Sequence, residues 1–202
     1  MSRDNKLNVL LVAAECAPFV KLGGLADVIG TLPKELNKIG ADARVMMPFH
    51  SQMKWKYASQ TRHLADFNIA FNGGEAYVGV EELVYNDVTY YLIDNEGEFG
   101  DAVYRGGVAE GEQYAYFCRA VIESLGRIGF IPDVIHCNDW QTGLIPILLR
   151  TQYGHWEVGR AKTIFTIHNM MYQGEYAFEQ FQKWVGIDSR YDTPEFMHNY
   201  EC

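Results

Sequence analysis

The feature that most constrains the fold is an apolar run, a glycine pair and a helical pattern, which follow one another near the N-terminus. Leu7 to Ala14 form the apolar run, as expected for a parallel strand that is covered on both faces. After Lys21-Leu22-Gly23-Gly24, apolar residues recur at helical spacing from Leu25 to Ile39. A second strand is predicted from Ala43 to Met47. This order predicts a β-α-β unit, the building block of a doubly wound sheet.

The glycine pair has two readings when it is taken alone. Glycine has no Cβ, so the backbone at Gly23 and Gly24 can approach a ligand closely. Free N–H groups at the start of the following helix favour an anion, and Lys21 adds a positive charge beside them. The stretch could therefore hold a diphosphate or a sugar phosphate. It could equally be an ordinary tight turn between a strand and a helix.

The pattern changes in the next part of the chain. Phe67 to Phe71, Ala76 to Tyr85 and Val88 to Ile93 are rich in β-forming residues and are separated by turn residues, which predicts an antiparallel excursion. Asp94 to Gly107 is rich in glycine, acidic and aromatic residues and is predicted to be a loop: a surface loop without chemistry is favoured, and a substrate-side loop is the alternative. Pro33 lies inside the first helical pattern and predicts a kink or a local break there.

Alternation of strands and helices then returns. Helices are predicted at Tyr114 to Ile128 and around Leu144 to Leu149, and strands at Asp133 to Cys137 and Thr163 to Ile167. From Met170 onward the chain is aromatic and is predicted to be irregular. We therefore predict a single α/β domain over residues 1–202, with a Rossmann-like, mainly parallel sheet and helices on both of its faces.

Polar residues follow three of the predicted parallel strands. They are Lys21 to Gly24 after the first strand, Asn138-Asp139-Trp140 after Cys137, and His168-Asn169 after Ile167. Ligands of open α/β sheets bind beyond the carboxyl ends of the strands, so these groups are expected to converge on one site. Asp139 could instead cap the following helix, and His168 could simply pack against its turn.

Composition and missing motifs exclude several classes of function. A net charge of −9 and a pI of about 5.1 argue against nucleic-acid binding. The chain has no run of about 20 apolar residues that could span a membrane. Dinucleotide, P-loop and G-x-S-x-G fingerprints are missing, and no zinc spacing occurs. We expect no cofactor and no metal. The four cysteines lack C-x-x-C spacing, which favours free thiols in the cytoplasm.

Four segments together resemble one enzyme family. The string from Ala14 to Val28, Ala-Glu-Cys-Ala-Pro-Phe-Val-Lys-Leu-Gly-Gly-Leu-Ala-Asp-Val, closely resembles the opening of bacterial glycogen synthases and plant starch synthases. Residues 135–143 resemble the family's His-x-[His/Asn]-Asp-Trp segment, and residues 165–174 resemble its His-Asn…Tyr-Gln-Gly segment. Residues 90–94 resemble the strand end before the family's variable loop. The resemblance covers nearly the whole chain and implies the N-terminal Rossmann-like domain of a retaining, two-domain glucosyltransferase.

The resemblance also implies roles for individual residues. The groups expected to face the diphosphate of a nucleotide-sugar are Lys21, Gly23 and Gly24, with Lys21 stabilising the leaving group. The groups expected to line the acceptor and sugar side are Glu15, Asp27, Tyr91 and Asp139. His168 would lie against the transferred glucose, with Asn169 beside it. The catalytic set implied is thus His168, Asp139 and Lys21.

The activity implied is transfer of glucose from a nucleotide-glucose, expected to be ADP-glucose, to the non-reducing end of an α-1,4-glucan with retention of configuration. The family carries a second domain that supplies most nucleotide contacts, and that C-terminal domain is missing from these 202 residues. We therefore expect the chain alone to be inactive. The alternative is a stand-alone glucan-binding or regulatory module without catalysis. A nicotinamide dehydrogenase is disfavoured because its fingerprint is missing.

Overall fold

The structure is a computed structural model that describes residues 6–193 of the chain, and these residues form one seven-stranded sheet with helices on both faces. The strands are β1 (Asn8–Val12), β2 (Asp42–Pro48), β3 (Arg62–Phe71), β4 (Gly74–Tyr85), β5 (Val88–Asp94), β6 (Val134–Asn138) and β7 (Lys162–Thr166). The helices are α1 (Gly24–Lys38), α2 (Ser51–Tyr57), α3 (Glu96–Phe99), α4 (Gly107–Arg127), α5 (Leu144–Thr151) and α6 (Phe178–Val185). Short 3-10 turns cover Ala58–Gln60, Trp140–Thr142, Glu157–Arg160 and Ser189–Tyr191.

The strand order is β3-β4-β5-β2-β1-β6-β7, with β1 near the centre. Strand β1 pairs in parallel with both β2 and β6, so that Val9 lies opposite Ala43 on one side and Val134 on the other. Strands β2 and β5 pair in parallel, and so do β6 and β7. The predicted mainly parallel, Rossmann-like sheet is confirmed. The carboxyl ends of β1, β6 and β7 consequently meet at one edge.

Alternation along β1 divides the core into two layers. Leu10 and Val12 are fully buried and pack with α4, α5 and α6 on one face of the sheet. Val9 and Leu11 point the other way and pack with α1 and α2. Both faces of the central strands are covered, which explains why Val9 to Val12 of β1 are all apolar.

The β-rich block forms the predicted antiparallel excursion at one end of the sheet. Strand β4 runs antiparallel to both β3 and β5, while β5 also pairs in parallel with β2 and so joins the two parts. The hairpin between β4 and β5 turns at Asn86 and Asp87, both with positive φ, as a two-residue type I′ connection requires. The excursion thus extends the sheet without a crossover helix.

Four sequence predictions of local structure were wrong or incomplete. The helix through Pro33 is continuous, and α4 begins at Gly107, seven residues earlier than predicted. The predicted loop at 94–107 contains α3, because the Asn95 side chain accepts a hydrogen bond from the Gly97 N–H at 3.0 Å and caps that helix. The segment after Met170 contains α6, where the Gln180 side chain bonds the Ala177 N–H. The sequence had predicted no element at the position of α2.

Strand β7 lies at the end of the sheet opposite β3 and is largely uncovered. The first four of its five residues are exposed. Ile164 and Phe165 point to opposite faces and are 51% and 45% exposed.

None of the described helices is long and apolar enough to span a membrane. Cys16, Cys118 and Cys137 are buried free thiols, and the prediction for Cys202 lies outside the described residues.

Candidate active site

A cavity of about 730 Å³ opens at the carboxyl ends of β1, β6 and β7, where the polar groups were expected to converge. Six of the predicted site residues line it, namely Glu15, Gly23, Gly24, Asp139, His168 and Asn169. Three predicted site residues are not in its lining, namely Lys21, Asp27 and Tyr91. Parallel strand order therefore brought the three polar groups together as the sequence predicted.

Glu15 follows β1 and organises the glycine loop. Its side chain is 3% exposed, and its Oε2 accepts hydrogen bonds from the N–H groups of Leu22 and Gly23, the latter at 3.1 Å. The protein's own carboxylate thus occupies two of the N–H groups that the sequence pattern offered to an external anion. No side chain caps the N-terminus of α1, which begins at Gly24 on the cavity wall. The Gly23 N–H is therefore already bonded within the protein, and an anion would meet only the free N–H groups at the start of α1.

Tyr104 and Glu110 line the cavity and were not among the predicted site residues. Tyr104 lies in the predicted 94–107 loop, for which a substrate-side position was the less favoured alternative, and Glu110 lies in α4, outside that loop. The Tyr104 hydroxyl donates to Glu15 Oε1 at 3.3 Å, and burial together with the charge of Glu15 raises the pKa of Tyr104. Glu110 Oε2 accepts from the Gly106 N–H at 2.8 Å, yet burial raises the pKa of Glu110. The aromatic and acidic composition of this segment was the available signal.

Asp139 has a backbone conformation that is rare outside glycine, with φ 58° and ψ 174°. Four contacts hold it: its N–H donates to the Thr166 carbonyl at 2.9 Å, its own carbonyl accepts from the Thr142 N–H at 3.1 Å and from the Thr142 hydroxyl at 3.0 Å, and its Oδ1 accepts from the His168 N–H at 2.6 Å. The carboxylate does not cap the following 3-10 turn. The capping interpretation was therefore wrong, since Asp139 connects β6 to the loop after β7.

His168 is held at its ring as well as at its backbone. Its Nε2 lies 2.9 Å from Oδ1 of Asn138, a fully buried residue. The Asn138 amide nitrogen donates to the carbonyls of Val12 at 3.2 Å and His136 at 2.9 Å. His136 lies nearby, where its Nε2 is 2.7 Å from Thr166 Oγ1, and burial together with the nearby His168 lowers the pKa of His136. The ring is thus hydrogen-bonded to the end of β6, as the interpretation of His168 as a satisfied histidine packing its turn also requires.

The loop after His168 is built by Asn169. Its Oδ1 accepts from the Met171 N–H at 2.9 Å, and its carbonyl accepts from the Tyr172 N–H at 3.4 Å. This turn places Tyr172 on the cavity wall while leaving its side chain 70% exposed. Met170 and Met171 are 75% and 85% exposed on the same turn. The side chain of Asn169 therefore shapes the cavity through the loop as well as lining it.

Trp140 forms an aromatic wall between the main cavity and a smaller one of about 180 Å³. Its ring contacts Tyr114 at 5.8 Å and Tyr176 at 5.6 Å, measured between centroids. Gly174 has φ 66°, and a Cβ there would lie 2.2 Å from the indole of Trp140. The Tyr-Gln-Gly segment thus supplies the glycine that lets the chain cross the indole face.

Lys21 and Asp27 form an ion pair outside the cavity. Lys21 Nζ lies 2.7 Å from Asp27 Oδ1, and both side chains are more than half exposed. Tyr91 is buried in the core, where its hydroxyl bonds the Arg44 guanidinium and its ring contacts Phe130 at 5.8 Å. The expectation that Tyr91 lines the site is contradicted, because β5 carries it three residues before the carboxyl end of the strand. Tyr104 occupies the cavity instead.

The lining of the main cavity is acidic. Glu15, Glu110 and Asp139 contribute three carboxyl groups, and no lysine or arginine of the described residues lines it. Carboxylates and amides accept hydrogen bonds from hydroxyl groups, and the aromatic rings of Trp140 and Tyr172 supply flat apolar surface. Among residues 6–193, no three His, Cys, Asp or Glu side chains lie together as metal ligands would. The arrangement suits a neutral, hydroxyl-rich ligand.

The family model for the starch synthase catalytic domain matches residues 8–202 of this chain. The chain belongs to this family. Starch synthase relatives of known structure share its fold: the catalytic domain of starch synthase IV from Arabidopsis thaliana, bound to ADP and acarbose, superposes with a TM-score of 0.86 at 28% identity. That superposition covers 96% of this chain and 40% of the other.

Curated relatives of this starch synthase domain are bacterial glycogen synthases. The chain is 44% identical over 198 residues to glycogen synthase of Geobacillus thermodenitrificans, covering 97% of this chain and 41% of that protein. It is 45% identical over 171 residues to glycogen synthase of Clostridium kluyveri, covering 84% of this chain and 36% of that protein. The chain thus spans about two fifths of the length of the curated relatives it matches, and the predicted family is confirmed.

Proposed function

We propose that this domain forms one wall of the active-site cleft of a glycogen or starch synthase. In that enzyme it binds the transferred glucose and the α-1,4-glucan acceptor, and glucose moves from ADP-glucose to the non-reducing end of the glucan with retention of configuration. The observation that carries the proposal is the convergence of Glu15, Asp139 and His168 in one acidic, partly aromatic cavity at the carboxyl ends of three strands. ADP as the donor's nucleotide is taken from the ligand of the starch synthase IV relative.

Each part of the cavity has a task in this proposal. His168 and Asn169 lie against the transferred glucose, and Asp139 fixes the His168 backbone through its 2.6 Å hydrogen bond. Glu15 holds the glycine loop whose end, at Gly24, faces the donor. The diphosphate needs positive charge as the glycosidic bond breaks, and Lys21 supplies part of it after leaving Asp27. No covalent nucleophile is assigned among the carboxylates, because the proposed transfer occurs on one face of the sugar.

The remaining contacts come from a C-terminal domain beyond these residues. The matched relatives are more than twice as long as this chain, and the main cavity has no cation to face a diphosphate among the described residues. The uncovered faces of β7 support the same view, since apolar Ile164 and Phe165 suit a covered position. Free, buried Cys16, Cys118 and Cys137 support a reducing cytoplasm as the compartment.

The experiment is incorporation of labelled glucose into glycogen, comparing ADP-glucose with UDP-glucose. We expect transfer by the complete protein with ADP-glucose, and none by the 202-residue chain alone, because a one-walled cleft cannot position both substrates. The matched variant is His168→Gln in the complete protein, which should remove transfer while leaving the thermal melt unchanged. Retention of glycogen binding without any transfer by the complete protein would replace this proposal with a glucan-binding module.

A further inference from the structure

Asn138 contacts the ring of His168, which lines the main cavity. It is fully buried at the end of β6 and does not line the main cavity. Its amide nitrogen is turned toward the carbonyls of Val12, at 3.2 Å, and His136, at 2.9 Å. Both partners are acceptors, so the NH₂ group must point toward them and the amide oxygen must point away. The orientation of this side chain is therefore fixed by the backbone of two neighbouring strands.

The amide oxygen of Asn138 in turn fixes the proton on His168. Oδ1 lies 2.9 Å from Nε2 of His168 and has no proton to give. Nε2 must consequently be the protonated nitrogen, and in the neutral ring Nδ1 carries the lone pair. Among the described residues no group hydrogen-bonds Nδ1, and Nδ1 is not one of the buried unpaired atoms. A ligand in the cavity can therefore reach it.

We propose that Asn138 is a positioning residue that holds His168 in the Nε2–H tautomer, so that Nδ1 accepts a hydrogen bond from a hydroxyl group of the sugar. This rests on the proposed function for the identity of the ligand. The second restraint on His168 is the 2.6 Å hydrogen bond from its N–H to Asp139 Oδ1. Asn138 thus holds the ring of His168, and the adjacent Asp139 independently holds its backbone. The ring can neither flip nor exchange tautomers without breaking its partly buried hydrogen bond to Asn138.

The alternative is that Asn138 only ties β6 to β1. Its hydrogen bond to Val12 O spans these two strands, so the amide has a structural use whatever the tautomer of His168. A loss of stability in an Asn138 variant therefore cannot by itself support the proposal. The deciding readout has to report on the imidazole nitrogens directly, and nitrogen–proton correlation spectra of histidine-labelled protein do so.

The first measurement uses the intact protein without substrate, with His168→Gln to assign the signals. We expect His168 to show a protonated Nε2, an unprotonated Nδ1 and a slowly exchanging Nε2 proton at neutral pH. A protonated Nδ1 or a rapidly averaged mixture of tautomers would overturn the proposal. This result depends on no activity, so it decides the tautomer even if the proposed transfer reaction is wrong or an Asn138 variant fails to fold.

The second measurement compares Asn138→Ala with Thr166→Val. Thr166→Val removes the 2.7 Å contact of the neighbouring His136 and leaves both restraints on His168 in place. Exchange of the His168 Nε2 proton should become about tenfold faster in Asn138→Ala and stay unchanged in Thr166→Val, because only the former removes its acceptor. In the complete protein, kcat with ADP-glucose should fall in Asn138→Ala with little change in the Thr166→Val control. A protected Nε2 proton that persists in Asn138→Ala would refute the role of the amide.

Discussion

Replacing Glu15 with alanine should destabilise the protein by loosening the glycine loop. The carboxylate of Glu15 accepts from the N–H groups of Leu22 and Gly23 and from the hydroxyl of Tyr104. Hydrogen bonds to a charged acceptor contribute about 1.5–3 kcal/mol each. Water from the adjoining cavity can replace part of this, so the lower figure applies to each of the two backbone bonds, and the expected cost is about 3 kcal/mol in the free energy of unfolding.

Two matched variants separate the parts of this energy. Glu15→Gln keeps an oxygen for the two backbone N–H groups but removes the charge, and neutral hydrogen bonds are about half as strong, so a loss of about 1.5 kcal/mol is expected. Tyr104→Phe removes only the 3.3 Å hydroxyl contact and should cost less than about 1 kcal/mol. The order of stability is therefore wild type, Tyr104→Phe, Glu15→Gln and Glu15→Ala.

Urea titration followed by circular dichroism measures these differences, with thermal melts as a second readout. For a domain of this size, each kcal/mol corresponds to about 2–4 °C, so Glu15→Ala should melt about 6–12 °C lower. If Glu15→Ala lies within about 0.5 kcal/mol of wild type, the carboxylate does not hold the loop and the reasoning fails. If Tyr104→Phe costs as much as Glu15→Ala, the stabilising contact lies at Tyr104 and not at the glycine loop.

Three further changes test other parts of the structure. Lys21→Ala in the complete protein should lower kcat/KM by about 10²–10³-fold, as loss of one charge-stabilising donor does. The exposed ion pair of Lys21 adds under about 1 kcal/mol to stability, and unchanged kinetics would mean that Lys21 is only a surface charge. Burial lowers the pKa of His50 to about 4, so the free energy of unfolding should fall as the pH drops from about 6.5 to about 4 and then level off. Urea titrations at each pH should show a fall about 3 kcal/mol larger in wild type than in His50→Asn, and parallel curves for the two proteins would refute this. Gly174→Ala brings a Cβ within 2.2 Å of Trp140 and should cost more than Gly73→Ala, which shares the positive φ but meets open space; equal melts would show that the indole can move.

The sheet could be predicted from sequence because its signals are local. The apolar run of β1 and the helical spacing in α1 depend only on neighbouring residues, and short parallel connections leave few alternatives for topology. The convergence of Asp139 and His168 then followed from strand direction alone. The boundaries of α4 and the existence of α6 could not be predicted in this way. Helix α6, for example, begins with a hydrogen bond between Gln180 and the Ala177 N–H that has no strong sequence signal.

The contacts that shape the site could not be predicted, because they join residues that are distant in sequence. Tyr104 and Glu15 are 89 positions apart, and their contact depends on the path of the whole β-rich block. The family resemblance implied Tyr91 as a site residue, yet its side of β5 faces α4 and the core. The sequence around Asp139 does not predict its positive φ. Backbone hydrogen bonds with Thr142 and Thr166, which belong to separate elements, hold this conformation.

The charge on the cavity wall constrains which part of a donor this domain can bind. Two unit charges of the same sign 4 Å apart near a protein surface repel by about 4 kcal/mol. A diphosphate placed against Glu15 and Asp139 would meet this repulsion with no cation of the described lining to offset it. Hydroxyl groups meet no such penalty, because they donate to the same carboxylates. In the proposed function, the diphosphate would therefore lie toward Gly24, with Lys21 just outside the cavity, and a facing domain would add positive charge there.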